Sequence, residues 1–81
     1  MAAVSNGPNQ VTITGDGGAT LTSIAVAPCA GVVISTSQDG TTSNIVGLAS
    51  GGSYIITYVQ NGQTVTCQAT VDSNGNVNLR Y

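Results

Sequence analysis

The chain has 81 residues, of which one is basic, three are acidic and none is histidine, so its formal net charge is -2. General acid-base catalysis, nucleophile activation and most metal sites use His, Glu, Lys or clustered Asp, so this composition argues against an enzyme and against any bound metal or cofactor. A single Arg cannot displace the counterions of a phosphate backbone, which argues against binding to nucleic acid.

Apolar residues make up 41% of the chain, but they are aliphatic apart from three Tyr, with no Phe or Trp. A domain this small hides only about 60 to 65% of its unfolded surface, so we expect a shallow aliphatic core. Thr, Ser, Asn, Gln and Gly interrupt every apolar run well before the ~20 residues that cross a bilayer, so no membrane insertion is expected. The first residues also lack the basic and apolar regions of a secretory signal, which indicates use without export or a processed form.

Alternation of β-branched residues with Thr or Ser, interrupted by Gly-containing turns, predicts an all-β fold: a small antiparallel β-sandwich of about seven strands. Residues 1–9, which contain Gly7-Pro8, are expected to form a flexible arm, and residues 10–81 a single domain. The predicted strands are Gln10–Thr14, Thr20–Ala27, Gly31–Thr36, Ser43–Leu48, Ser53–Gln60, Gln63–Val71 and Asn76–Tyr81.

The second predicted strand is irregular, because simple alternation places Leu21 and Ile24 on opposite faces. A bulge near Thr22-Ser23 would bring them to the same face. Pro28 lacks the N–H of a strand residue, so it should end this strand or mark an edge.

The three carboxylates each adjoin a turn glycine, at Asp16, Asp39 and Asp72. Asp in this position bonds its own backbone and stabilises the turn, so a structural role is favoured over catalysis, which would need two of these turns to meet. Residues 72–76 present alternating oxygen side chains, but one Asp without a Glu is a poor calcium loop. The hairpin interpretation is preferred there.

The pair Asn61-Gly62 predicts a two-residue type I′ hairpin turn with Gln60 opposite Gln63. This register places the core side chains of both strands on one face and the Thr-rich side chains on the other. The predicted inward residues are Tyr54, Ile56, Tyr58, Val65, Cys67 and Ala69.

The next turn admits two loop lengths, and hydrophobicity selects between them. A two-residue Asn74-Gly75 loop would place the last strand's apolar side chains on the Thr-rich face. A three-residue loop with Gly75 in a left-handed bulge position instead pairs Val71 with Val77 and keeps the apolar face intact. We therefore predict a three-stranded meander over Ser53–Tyr81, with all three Tyr facing inward.

The two cysteines, Cys29 and Cys67, cannot complete a four-ligand zinc site in a chain without His. A disulfide between them is favoured, because Cys67 faces the predicted core and Cys29 follows a strand end. It would add roughly 4 kcal/mol in the chain-entropy model. Free thiols and a bridge between subunits remain the alternatives.

The segment 48–58, Leu-Ala-Ser-Gly-Gly-Ser-Tyr-Ile-Ile-Thr-Tyr, has a Gly-rich turn that leads into a Tyr-containing strand. It resembles the late strands of immunoglobulin-like and fibronectin-type sandwiches. The resemblance implies an immunoglobulin-like sandwich rather than a closed barrel, although the chain lacks the Trp of true immunoglobulin domains.

A polar, nearly uncharged β-rich surface offers little electrostatic resistance to association. The leading hypothesis is a non-enzymatic structural protein at the virion surface, such as a phage capsid decoration or cement subunit. Its partners would be other protein subunits, in a homo-oligomer or a capsid or filament lattice. The alternative is an extracellular or cell-surface protein: a pilus-like filament subunit, an adhesin or a glycan-binding module. A small enzyme or inhibitor is the weaker third hypothesis.

Overall fold

The computed structural model describes residues 3–5 and 8–81, with side chains described from residue 8 onward. The strands are β1 (Ala3–Ser5), β2 (Val11–Thr14), β3 (Leu21–Ala27), β4 (Val33–Thr36), β5 (Thr42–Val46), β6 (Ser53–Gln60), β7 (Gln63–Val71) and β8 (Val77–Arg80). A short 3-10 helix, Asp16–Gly18, lies between β2 and β3. No helix within these residues is long and apolar enough to span a membrane. The prediction of an all-β fold is confirmed.

The strands form two four-stranded antiparallel sheets. Sheet A has the order β1-β2-β5-β4 and sheet B the order β3-β6-β7-β8. Alternation along each strand directs every second side chain inward, and the inward side chains of both sheets merge into one buried cluster. Its members are Val11, Ile13 and Ile45 from sheet A, Leu21, Val26, Tyr54, Ile56, Tyr58, Cys67, Ala69, Val71 and Val77 from sheet B, and Leu48 from the connection between them.

The central hairpin of sheet B has the predicted register. Gln60 pairs with Gln63 across the turn, and both turn residues have positive φ, 52° at Asn61 and 74° at Gly62. Positive φ at both central residues defines the type I′ turn, whose twist matches that of the flanking strands. The turn therefore fixes which face of β6 and β7 enters the core.

The predicted three-residue loop before β8 is also confirmed. Val71 pairs with Val77, the Asp72 N–H donates to the Asn76 carbonyl at 3.0 Å, and Gly75 has a φ of 86°. The loop keeps the apolar residues of β8 on the core side. In β3 the expected bulge is present as well: the register with β6 shifts between Thr22 and Ala25.

The amino-terminal arm is only partly as predicted. Ala3–Ser5 pairs with β2 as an edge strand, with Ser5 opposite Val11, so this part is ordered into sheet A. A three-residue strand is too short for alternation to reveal it, and the unpaired edge of β2 supplies the hydrogen-bonding partner. Residues 1, 2, 6 and 7, which also belonged to the predicted arm, lie outside the described residues.

Asn9 connects three parts of the chain. Its backbone N–H donates to the Gly75 carbonyl at 2.8 Å, and its carbonyl accepts from the Leu48 N–H at 3.4 Å. Its side-chain Nδ2 donates to the Leu48 carbonyl at 2.7 Å and to Ser50 Oγ at 3.1 Å. Asn9 thus joins the start of β2 to the β5–β6 connection and to the β7–β8 turn.

Candidate interaction surfaces

The Asp39 carboxylate is engaged within its own turn between β4 and β5. Oδ1 accepts hydrogen bonds from Ser37 Oγ at 2.7 Å, the Thr41 N–H at 3.1 Å and Thr41 Oγ1 at 2.9 Å. The Ser37 hydrogen bond, followed by those from Thr41, lowers the pKa of this carboxyl, because they stabilise its charged form. These three hydrogen bonds occupy Oδ1 and stabilise the turn, which is a structural role for Asp39.

The Asp72 carboxylate has the same role between β7 and β8. Its Oδ1 accepts from the Asn76 N–H at 2.9 Å and the Asn74 N–H at 2.8 Å. The Asn76 hydrogen bond is the largest cause of the lowered pKa of Asp72. The carboxylate therefore points at its own backbone, as the sequence pattern predicts.

Asp16 lies in the β2–β3 connection, which the fold brings against the Asp39 turn. The Gly15 N–H donates to the Thr41 carbonyl at 2.8 Å, and the Leu21 N–H to the Gly40 carbonyl at 2.7 Å. Sequence reasoning gave no sign that two Asp-bearing turns would meet.

The two carboxylates nevertheless serve different partners. Gln60 Nε2 donates to Asp16 Oδ2 at 3.0 Å, and the Asp16 N–H donates to Gln60 Oε1 at 3.2 Å. Asp16 is thereby tied to sheet B, whereas Asp39 bonds residues of its own turn. Within residues 3–5 and 8–81, no three His, Cys, Asp or Glu side chains assemble as a metal site.

The expected disulfide is not formed, and both cysteines are free thiols. Cys67 is buried in β7, whose neighbour Ile56 pairs in turn with Val26 of β3. Cys29 is exposed and lies beyond the end of β3, and two strand spacings, roughly 10 Å, separate β3 from β7. This spacing exceeds the distance of about 7 Å between Cα atoms that a disulfide spans. Burial raises the pKa of the Cys67 thiol, and so keeps it protonated.

Two of the three tyrosines are buried in the core, as predicted, whereas the third is exposed at its rim. Tyr54 and Tyr58 are buried, but Tyr81 follows the last residue of β8 and is 57% exposed. The Tyr58 and Tyr81 hydroxyls lie 3.2 Å apart at the rim. Burial, with a smaller contribution from the Tyr81 hydroxyl, raises the pKa of Tyr58. With the other two rings buried, the tyrosines do not form an exposed stacking platform.

Tyr54 makes a hydrogen bond that sequence reasoning missed. Its hydroxyl accepts from the Ala49 N–H at 2.8 Å, across the Gly-rich turn through which the chain passes from sheet A to sheet B. A Cβ on Gly52 would lie 2.8 Å from the Tyr54 ring and 2.9 Å from the Ala49 carbonyl oxygen. Gly52 therefore leaves space for the Tyr54 ring, whose hydroxyl bonds the turn between the two sheets.

The outward side of the β6–β7 hairpin is rich in Thr, and we call it the threonine face. It consists of the outward side chains of β6 and β7: Ser53, Ile55, Thr57, Val59, Thr64, Thr66, Gln68 and Thr70. None is charged, and Ile55 is 44% exposed near its middle. The nearest ionised side chain along this side of sheet B is Arg80, opposite Gln68.

The other exposed apolar surface is β4, the last strand of sheet A. Val33 is 56% exposed and Ile34 is 37% exposed. Ile34 pairs with the fully buried Ile45, so it belongs to the inward side of the sheet and yet remains accessible. We call β4 and its unpaired side the β4 edge.

The two ends of the sandwich differ. At one end β1 lies against β8, which brings the sheets together. At the other edge of sheet A, all four residues of β4 are exposed. Ile34 is thus accessible although it belongs to the inward side of the sheet.

Comparisons of the chain with protein-family models, with curated proteins and with solved structures matched none of them. The surfaces described above are consequently the basis for a functional proposal.

Proposed function

We propose that this protein is a non-enzymatic structural subunit that assembles with other protein subunits. The observation that carries the proposal is the β4 edge. All four of its residues are exposed, two of them are large aliphatics, and none is charged. An unpaired strand edge with these properties is a template for association with another chain, which monomeric proteins normally block with charge, proline or a bulge.

The sheet faces support the same proposal. The threonine face carries no charge, and the whole chain has a net charge of -2, so copies of it repel one another only weakly. The three Asp carboxylates satisfy turn N–H or side-chain donors, and none of these bonds creates a reactive constellation. The uncharged sheet faces are therefore suited to contacts with other protein subunits.

Within this class we favour a small virion component, such as a phage capsid decoration or cement subunit at the particle surface. A compact sandwich with a charge-poor, Thr-rich exterior suits a subunit held among many neighbours. The alternative is an extracellular, pilus-like filament subunit or adhesin. The β4 edge is the feature in its favour, since filament subunits of that type exchange strands through open edges.

We further propose that the sandwich is immunoglobulin-like in the neighbourhood of Tyr54. In such folds a Tyr near the start of a late strand bonds backbone a few residues upstream at the corner between the sheets. The Tyr54 hydroxyl and the Ala49 N–H have this relation, at the passage from β5 to β6.

The experiment has two arms, sedimentation velocity of the purified chain from micromolar to millimolar concentration and quantitative mass spectrometry of particles purified from the producing cells. We expect concentration-dependent association and a fixed copy number on virions. A fixed copy number on filaments or cell surfaces instead of virions would select the alternative. A strictly monomeric chain that is found on neither would refute assembly as the function.

A further inference from the structure

We propose that the β4 edge pairs with the β4 edge of a second copy of this chain. The two strands run antiparallel, with Ile34 opposite Ile34 of the second copy, and join two A sheets into one continuous sheet. This inference rests on the proposed function, because it names one partner for the surface that carries it.

The backbone of β4 has hydrogen-bonding groups directed toward the free edge. The Ser37 N–H donates to the Thr42 carbonyl at 2.7 Å, so Ser37 bonds toward β5. In an antiparallel ladder bonding alternates along the strand, which assigns Ser35 and Val33 to β5 as well. The N–H and C=O groups of Ile34 and Thr36 therefore point away from the sheet.

Symmetry restricts the register of the pairing. A two-fold axis perpendicular to the joined sheet keeps the inward side of each copy on the same side. Residues that face each other across the pairing must then both point inward or both point outward. One residue of β4 therefore lies opposite its own copy, and the axis passes midway between the two. The choice near the middle of β4 lies between Ile34 and Ser35.

Hydrophobicity selects Ile34. With the axis at Ile34, two inward, partly exposed aliphatic side chains meet at the joined edge, and each Val33 lies opposite a Ser35. With the axis at Ser35, each Ile34 would lie opposite a Thr36 and remain next to water. Ile34, with its N–H and C=O free, would form a hydrogen-bonded pair with its copy and exchange both N–H···O bonds.

The chemistry of β4 favours a copy of itself over an oppositely charged partner. The strand has no charge, and the nearest carboxylate, Asp39, is held by Ser37 and Thr41 in the following turn. Val33, Ile34 and Thr36 are β-branched, and such residues favour strands. β4 is therefore as well suited to add to the edge of another sheet as to receive an added strand.

The edges of sheet B do not offer the same surface. In β3 the bulge between Thr22 and Ala25 and the positive φ of Ser23 interrupt a regular edge, and Pro28 follows directly. Edge strand β8 ends in the charged Arg80, whereas β4 contains no charged residue. Bulges, prolines and charges of this kind are the devices that prevent edge-to-edge association.

Four residues from each copy bury much less than the ~1,000 Å² expected of a stable interface. The pairing is therefore weak in isolation and is strengthened when subunits are held close together in an assembly. Its test must capture a short-lived contact.

Cysteine crosslinking provides that capture. The variants Ile34→Cys and Ser35→Cys are each made in a Cys29→Ser background and oxidised separately under the same conditions. A hydrogen-bonded pair has Cα atoms about 5.5 Å apart, which suits a disulfide, whereas Ser35 and its copy would be diagonal neighbours about 7 to 8 Å apart. We expect Ile34→Cys to form covalent dimers at least about tenfold faster than Ser35→Cys. Equal rates would overturn the register.

A charge substitution tests the same contact without crosslinking. Ile34→Lys would place two ammonium groups opposite each other, while Ile55→Lys makes the same charge change at a comparably exposed Ile of the threonine face. We expect Ile34→Lys to abolish concentration-dependent sedimentation and Ile55→Lys to preserve it. The reverse result would assign association to the threonine face.

These results separate the pairing from the broader proposal. A chain that still assembles although Ile34→Cys forms no dimer would refute the pairing and leave the proposed function standing. Crosslinking of Ile34→Cys to a different protein would also refute it, by identifying another occupant of the β4 edge. A monomeric chain found on no particle would refute both.

Discussion

The β6–β7 hairpin and the β4 edge are built from similar residues but have different roles. β6 and β7 have eight and nine residues, and each is flanked by a strand on both sides. β4 has four residues, all exposed, with a partner on one side. In a small sandwich the long central strands supply the stability, which allows a short outer strand to remain accessible.

The largest test of this difference is a pair of matched truncations. Ile56→Ala removes a fully buried side chain from β6 and should lower the free energy of unfolding by about 2 to 5 kcal/mol. Ile34→Ala on the β4 edge should cost about 1 kcal/mol or less, because its site is already hydrated. Urea denaturation at low protein concentration measures both. Equal losses would show that the β4 edge supports the fold as strongly as the hairpin does.

The turn of the hairpin should contribute next. Gly62→Ala puts a Cβ on a residue with a φ of 74° and should destabilise the protein by about 1 to 2 kcal/mol. Nothing lies near that Cβ, so the loss would come from the backbone alone. Gln63→Ala, at the adjacent strand residue, is the control and should be nearly neutral in the same denaturation assay.

The corner that joins the two sheets should have a somewhat smaller effect. Tyr54→Phe keeps the buried ring but deprives the Ala49 N–H of its acceptor, which should cost about 1 kcal/mol. Tyr58→Phe removes a hydroxyl whose partner is the exposed Tyr81, so no backbone group loses an acceptor. A larger loss for Tyr58→Phe than for Tyr54→Phe, measured by thermal unfolding, would contradict this account.

The smallest effect should be the acid dependence of two turns, one in each sheet. Hydrogen bonds lower the pKa of Asp39 and Asp72 in the folded state, chiefly those from Ser37 and Asn76 respectively. Their stabilisation is therefore present above the unfolded pKa of about 4 and is lost as the pH falls through the folded values. The melting temperature should decline below about pH 4.

Two variants separate the turns. Asp39→Asn should remove the acid sensitivity of amide exchange at Thr41, and Asp72→Asn that at Asn74. If both turns lose protection equally in either variant, the acid response is global and does not belong to the individual carboxylates.

Sequence reasoning succeeded where local chemistry determines geometry. Asn61-Gly62 permits a type I′ turn, and that turn sets every pair of β6 and β7 behind it. Gly75 similarly allowed the loop length before β8 to be chosen by asking which one keeps Val77 on the apolar face. The two Asp turns with lowered pKa values, at Asp39 and Asp72, follow from the same local rules.

It failed where the answer depends on distant parts of the chain. The distance between Cys29 and Cys67 depends on the order of strands in sheet B, which no local pattern reveals. Alternation places Ile34 on the inward side but does not tell how much of its side chain the fold leaves accessible. The contact between the Asp16 and Asp39 turns is likewise a product of the overall topology. The candidate surface was therefore found only in the folded structure.

The hydrogen bonds of Asn9 also determine how the domain resists mechanical load. A pull applied before this residue would peel β1 from β2 one pair at a time, which requires little force. The load would then reach Asn9, whose bonds to Gly75, Leu48 and Ser50 must break nearly together before β2 is strained. Tension applied before Asn9 would thus act on the β5–β6 connection and the β7–β8 turn at the same time.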